Sequence, residues 1–330
     1  MDVQPLTRGQ LATYFARVKL QEGPEELQPN LHLLCRMHLA HVQNIPYENL
    51  SLHLDKAREQ HPKIALHTHH LFLKLVKSRR GGYCFEQNLL FAAALRACGF
   101  AIYLLAARVC KTNTCRPGES SASIIHNQPH VAIGVLIEGV HWVTDVGYGG
   151  KGLRLPIRND LVHVLDVDPP VVVARSGDSL FSENTLNLEI YKGAEDSWQA
   201  ANGQCLGYAH RLRTKQFPDC SSDDPALHIQ SPGFFVQALD SHGHFQDQYF
   251  VQFQETKFAE FEMLNWYTST CPDANHLKNV VVAIQTPVGR NTYNGKEFKV
   301  FEGSSCTWLK QPETKQEQYK YLQQLFELHF

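Results

Sequence analysis

In Arg80-Gly81-Gly82-Tyr83-Cys84-Phe85-Glu86-Gln87-Asn88 a single cysteine follows a glycine pair and opens an apolar run, Leu89 to Leu95. A cysteine in the first turn of a helix faces the partial positive charge of unpaired N–H groups, which favours thiolate over thiol and prepares a nucleophile. The glycines let the backbone turn tightly and are expected to leave the sulfur open to a substrate. The plainer alternative is a buried free cysteine at a helix start, since free Cys is among the most buried residue types. A base and a group to orient it, placed elsewhere in the chain, would decide between the two.

His130 to Ile137 and Val140 to Val146 are apolar runs separated by Glu138-Gly139, a hairpin signal. If those two residues form the turn, Ile137 faces Val140, Ala132 faces Asp145 and His130 faces Gly147. His130 and Asp145 then share one face as diagonal neighbours, within reach of a carboxylate–imidazole contact. Such a carboxylate would fix the imidazole tautomer and leave the other ring nitrogen for a third group. A half-buried histidine and a strand-end aspartate without partnership is the competing reading. It is weakened by the surroundings of Asp145, because an unpaired charge among Trp142, Val143 and Val146 would be costly. Spacing alone does not bring Cys84 to His130.

The elements that must hold these residues fall into three regions of a 330-residue chain, too long for one comfortable core. Residues 1–99 read as helical. Thr7 and Gln10 make a capping box before Leu11, Tyr14, Phe15 and Val18, and Asn30 caps a second helix that must stop before Pro46. Leu71, Phe72, Leu75 and Val76 build a third helix, and the Cys84 helix is the fourth. Residues 100–218 read as short strands suited to an antiparallel sheet or small barrel, with candidates at 100–109, 130–137, 140–146, 161–165, 171–174, 186–191 and 206–213. Residues 219–330 mix strands at 233–239, 245–254, 279–284 and 298–301 with helices at 258–268 and 315–330.

Composition excludes several classes. A net charge of −2, with scattered basic residues, gives no footprint for nucleic acid or an anionic membrane. Nine cysteines without CxxC spacing suggest a reduced, cytoplasmic protein, and residues 1–22 contain no uninterrupted apolar segment of the signal-peptide kind. The stretch 89–109 contains Arg96, Gly99 and Arg108, so it reads as a buried helix followed by a core strand and not as a membrane span. His67, His69 and His70 lack a second ligand cluster, and no metal is expected.

Taken together, the Cys84 stretch resembles the RGGxCxExN signature of the arylamine N-acetyltransferase family, and Pro46-Tyr47-Glu48-Asn49-Leu50 is similar to its PFENL motif. His130-Val131, Asp145-Val146-Gly147-Tyr148-Gly149 and Gln285-Thr286-Pro287 fit the same family in order and spacing. The resemblance spans nearly the whole chain. It implies an α+β fold made of an N-terminal helical bundle, a central antiparallel β-barrel and a C-terminal α/β lid, with a cysteine-protease-like core between the first two. It further implies Cys84 as nucleophile, His130 as base and Asp145 as orienter of a ping-pong acyl transfer. The co-substrate would be acyl-coenzyme A, acetyl or malonyl, with no permanently bound cofactor, and the acceptor an aromatic amine or hydrazine in xenobiotic detoxification.

Other implied roles are Gly147, Gly149 and Gly150 at the donor's phosphates, and Tyr47, Tyr83 and Tyr148 around the acceptor. The plain alternatives are chain-turning glycines and packed tyrosines. Arg80 with Glu48 is expected to form a structural ion pair, and Glu86 and Asn88 to be scaffold. Tyr47 departs from the commoner Phe, and the length resembles eukaryotic, fungal members. Two other readings remain open: a transglutaminase-like or hydrolytic cysteine enzyme using the same triad, and an inactive homologue that acts as a binding module.

Overall fold

In a computed structural model, the described residues are 2–21, 27–53, 64–111, 124–159, 171–172, 190–191, 210–213, 233–239, 245–303 and 305–329. The N-terminal region is helical for the reasons visible in its sequence. Thr7 and Gln10 form a reciprocal capping box at the start of α1 (Arg8–Arg17), which buries Leu11, Tyr14 and Phe15. Asn30 accepts the Leu33 N–H at 2.9 Å and starts α2 (Leu31–Asn44). The chain then makes a two-residue strand, β1 (Tyr47–Glu48). The third helix differs from its periodicity: α3 (Thr68–Leu71) continues as a π-helical stretch over Phe72–Lys77. Phe72, Leu75 and Val76 stay buried along it, while Lys74 reaches Glu86 at 2.6 Å. Next, α4 (Cys84–Ala97) is buried from Cys84 to Leu95, so it occupies the centre of the bundle with no solvent face over that span.

The larger sheet contains β2 (Ala101–Lys111), β3 (Ile124–Ile137), β4 (Val140–Thr144), β5 (Ile157–Arg158), β6 (Val171–Val172), β7 (Ile190–Tyr191), β8 (His210–Arg213), β9 (Gly233–Leu239) and β10 (Phe245–Glu255). They pair antiparallel in the order β5-β4-β3-β2-β10-β9-β8-β6-β7, forming a nearly closed barrel. The β3–β4 turn is Glu138-Gly139, with φ of 50° and 78°, the left-handed pair that matches strand twist in a two-residue hairpin. Ile137 pairs with Val140 as expected, but the ladder stops at Ile133↔Thr144, and Asp145 lies just beyond it. β2 and β3 slip register between Arg108↔Pro129 and Cys110↔Ile125, a bulge beside Gln128.

The sheet runs past residue 218, where the sequence reading places a boundary. β9 and β10 pair with β8 and β2, so residues 233–239 and 245–255 belong to the larger sheet. Composition does not reveal that change of partner. The strand candidate at 161–165 lies outside the described residues, as do 173–174, 186–189 and 206–209 of the candidates at 171–174, 186–191 and 206–213.

The lid contains α5 (Phe258–Thr270), α6 (Asn275–Lys278), β11 (Val282–Gln285), β12 (Gly289–Tyr293), β13 (Phe298–Glu302), β14 (Ser305–Lys310) and α7 (Lys315–Phe326). Its sheet has the order β1-β11-β12-β13-β14, so the edge strand comes from the N-terminal region, with Tyr47↔Ala283 and Glu48↔Val282 in register. Buried side chains pin the three regions together. His38 hydrogen-bonds Thr144 Oγ1 at 2.6 Å and the Leu153 carbonyl at 2.9 Å, joining bundle to barrel. Asn49 donates to the carbonyls of His276 and Asn279 at 2.9 and 2.7 Å and accepts the Val281 N–H at 2.8 Å, joining bundle to lid. Gln285 donates to the carbonyl of Gly152 at 3.0 Å, and Arg154 to those of Pro287 and Gly289 at 3.2 and 2.9 Å, so the Gln285-Thr286-Pro287 stretch joins lid to barrel. Among the described residues, no helix is long and apolar enough to cross a membrane.

Candidate active site

Cys84 is the first residue of α4, and Glu86 caps the helix by accepting the Tyr83 N–H at 3.2 Å. The two glycines before it serve a purpose different from the expected one. A Cβ on Gly81 would stand 2.1 Å from the Pro46 carbonyl oxygen and 2.6 Å from Glu48 Cγ, and one on Gly82 would stand 2.7 Å from Glu86 Cβ. Both glycines thus permit close packing beneath the helix start, away from the substrate side. Beside them Arg80 meets the fully buried Glu48 at 3.3 Å, and Glu48 also accepts the Leu50 N–H at 2.5 Å. The Gly81→Ala protein is expected to lose ~3 kcal/mol or more of stability because the obstruction is backbone, which cannot turn aside; urea unfolding midpoints measure this.

His130 Nε2 lies 2.7 Å from Asp145 Oδ2, so the expected pair is present although Asp145 sits past the end of the ladder. The carboxylate is fixed from several sides. Its Oδ1 accepts from Asn88 Nδ2 at 2.8 Å and from the Gly147 N–H at 2.8 Å. Asn88 also donates to the Val131 carbonyl at 2.8 Å and accepts the Val146 N–H at 2.9 Å. Expected only as scaffold, Asn88 therefore holds Asp145 directly from the second turn of the Cys84 helix.

The electrostatics follow from that network. Burial would push His130 down, but the Asp145 charge and hydrogen bond, reinforced by a hydrogen bond with Cys84, hold its pKa up at about 10. Burial would likewise raise Asp145, yet its contacts with His130 and Asn88 keep it below the usual carboxylate range. With Nε2–H committed to Asp145, Nδ1 is the nitrogen left for the thiol. Cys84, His130 and Asp145 are all nearly or fully buried, at 2%, 2% and 0% exposure, so solvent screens their mutual field little.

Cys84 and His130 open into a cleft of about 550 Å³ that is also lined by Tyr47, Tyr148, Gly147, Gly149 and Gly150. A Cβ on Gly147 would stand 2.8 Å from the Cys84 carbonyl oxygen and 2.5 Å from Asn88 Nδ2, so this glycine lets the Asp145 loop lie against the backbone of Cys84. Gly149 has φ +88°, which favours glycine, and its Cα faces the Tyr47 ring. Tyr148 packs edge-on to His130 with ring centroids 5.5 Å apart. Tyr83 is placed differently. It is buried behind the cleft, donates its hydroxyl to Asn265 Oδ1 and packs 5.3 Å from the His276 ring.

Sequence reasoning missed Tyr249, whose ring lies 4.9 Å from His130, as well as Gln128, His276 and Arg290 on the cleft wall. The inward phase of β10 could have suggested Tyr249, but single polar residues on distant segments carry no local signal. The three histidines 67, 69 and 70 stand apart from the cleft; His67 approaches Glu262 at 3.7 Å.

Three buried histidines set an acid limit. Burial lowers His38 to about 4, His41 to about 3 and His276 to about 4. Each is neutral when folded, whereas the unfolded chain protonates near its ordinary value. Stability is therefore complete above about pH 6.5 and falls as pH drops towards about 4, by on the order of 3 kcal/mol per histidine. His130 has the opposite sign, contributing fully below about 6.5 and losing its contribution as pH rises towards about 10. Unfolding midpoints measured from pH 6.5 to pH 4 should fall steadily, and substituting Gln for His41 should flatten part of the fall.

The fold is the one seen in solved arylamine N-acetyltransferases. The structure from Mycobacterium abscessus superposes with a TM-score of 0.71 at 21% identity, covering 97% of this chain and 90% of that one. In sequence, the arylamine N-acetyltransferase of Escherichia coli is 36% identical over 151 residues, 45% of this chain and 48% of that protein. The matched region therefore spans about half of that relative's length. The enzyme of that name from Mycolicibacterium smegmatis is 25% identical over 303 residues, 91% of this chain and 85% of that protein. The profile of the N-acetyltransferase family matches residues 30–330, and the chain belongs to this family.

Proposed function

We infer that the protein is an acyl-coenzyme A-dependent N-acyltransferase that moves a short acyl group to an arylamine or hydrazine through an acyl-Cys84 intermediate. The observation that carries this reading is the buried line Cys84–His130–Asp145, opening into one cleft at a helix N-terminus. In the first half-reaction the Cys84 thiolate attacks the thioester carbonyl. A new carbon–sulfur bond forms, the bond to coenzyme A breaks, and the His130 imidazolium returns a proton to the departing thiolate. In the second, the amine nitrogen attacks the acyl carbon, sulfur leaves as thiolate, and neutral His130 takes the amine proton. Asp145 holds the imidazole in one tautomer throughout.

Gly149 and Gly150, on the cleft lining, are the assigned neighbours of the donor, with Gly147 seated against Cys84. Tyr47 and Tyr148 shape the acceptor region, with Tyr83 supporting them from behind. Intact-protein mass spectrometry after incubation with acetyl-, propionyl- and malonyl-coenzyme A tests the reading. One acyl mass on Cys84, discharged by an added arylamine, is expected. Steady release of coenzyme A without amine would instead indicate a hydrolase, and no adduct with any donor would indicate a binding module.

A further inference from the structure

Tyr47 and His276 both line the cleft that contains Cys84, and they meet at 2.7 Å between Tyr47 Oη and His276 Nε2. His276 is 3% exposed, and its backbone carbonyl is held by Asn49 Nδ2 and His53 Nε2, both at 2.9 Å, which anchors the segment that carries the ring. Its ring is neutral at physiological pH: burial first, then the nearby charges of His130 and His53, hold it down at about 4. A neutral imidazole has one donor and one acceptor nitrogen. Nδ1 lies 3.5 Å from the side-chain amide nitrogen of Gln128, the contact made by the tautomer in which Nδ1 accepts and Nε2 carries the proton.

In that tautomer the Nε2–H donates to Tyr47 Oη, and the tyrosine keeps its own proton for a ligand. Burial, with the charge of Cys84 next, raises Tyr47 well above its ordinary value, so the hydroxyl stays protonated. The cleft wall near the thiol thus presents an O–H donor braced from behind by a second side chain. A phenylalanine, commoner at this place in the PFENL motif, would present only a ring edge. Lys151 and Arg290 line the same cleft and favour electron-rich oxygen there.

We propose that the Tyr47–His276 pair is the specificity-determining wall of the cleft, selecting substrates that carry a hydrogen-bond-accepting oxygen near the reacting group over apolar substrates of equal size. The inference rests on the acyl-transfer reading above. The oxygen can belong to the acyl chain of the donor or to a ring substituent of the amine, and both present the same chemistry to Tyr47. An apolar analogue leaves the buried O–H without a partner, which is how a hydrogen-bonding site discriminates.

The test compares kcat/KM for two matched pairs, malonyl- against propionyl-coenzyme A and para-aminophenol against para-toluidine, in the wild type, Tyr47→Phe and His276→Leu. The wild type should prefer the oxygenated member of one pair, and both variants should reduce that preference by about 10-fold. The pair that responds identifies which substrate bears the oxygen. Tyr47→Phe removes one oxygen atom and keeps the test readable if His276→Leu disturbs the lid. Preference ratios within twofold of wild type in Tyr47→Phe, for both pairs, would overturn the proposal. Absence of any acyl adduct on wild-type Cys84 would overturn the acyl-transfer reading and this inference with it.

Discussion

Cys84→Ser is expected to abolish acyl transfer, lowering turnover by about 10³-fold or more, while leaving the fold unchanged. Serine is slightly smaller than cysteine and occupies a 2%-exposed site without collision, so circular dichroism and unfolding midpoints should match those of the wild type. The chemistry fails for another reason. A hydroxyl is far less readily ionised than a thiol, and neither the helix start nor the imidazolium can hold an alkoxide as it holds a thiolate. Incubation with acyl-coenzyme A should add no mass to the variant. Wild-type turnover in Cys84→Ser would eliminate the covalent mechanism.

Asp145→Asn should be nearly as damaging, at about 10³- to 10⁴-fold in kcat. The new amide can keep the contacts of Oδ1 with Asn88 and Gly147, both donors, by retaining its oxygen there. Its nitrogen must then face His130 Nε2, a donor where an acceptor had been. The ring can answer only by moving its proton to Nδ1, the nitrogen that serves Cys84, and it can no longer accept a proton there. With the aspartate charge gone, only the contacts with Cys84 oppose burial, and His130 falls from about 10. Alkylation of Cys84 by iodoacetamide reports this independently of substrate. The rate at pH 7 should be lower in Asp145→Asn than in the wild type, because the imidazolium beside the thiol loses its carboxylate partner. An unchanged alkylation rate would remove the coupling of Asp145 to the thiol.

Much of this arrangement is local and hence legible in sequence. The helix start at Cys84 follows from its neighbours, and the Glu138-Gly139 turn fixes the register that puts His130 on the Asp145 side. Two things are not local. The meeting of Cys84 with His130 depends on how α4 packs on β3, which hydrogen bonds from Asn88 to Val131 and Asp145 determine. Asn88 can make those bonds only because a glycine at 147 admits it, a relation between residues on separate elements. The lid's share was equally hidden. His276 is 229 positions from Tyr47, and an isolated histidine between a proline and a strand gives no hint of its partner. The same limit explains the barrel boundary, since β9 and β10 have the alternation of any half-buried strand and only their pairing assigns them to the larger sheet.

The two-residue strand Tyr47–Glu48 has a consequence for the order of assembly. It is the edge of a sheet whose other strands begin at Val282, and it also bridges to Gly82 beside the nucleophile. One wall of the cleft therefore cannot form until residues near 283 reach it, long after the bundle and most of the barrel have left the ribosome. Closing so large a loop is a late and slow event, because its entropy is lost before the pairing is gained. The thiol of a growing chain should remain unable to acquire an acyl group until β11 has been made and has paired with β1.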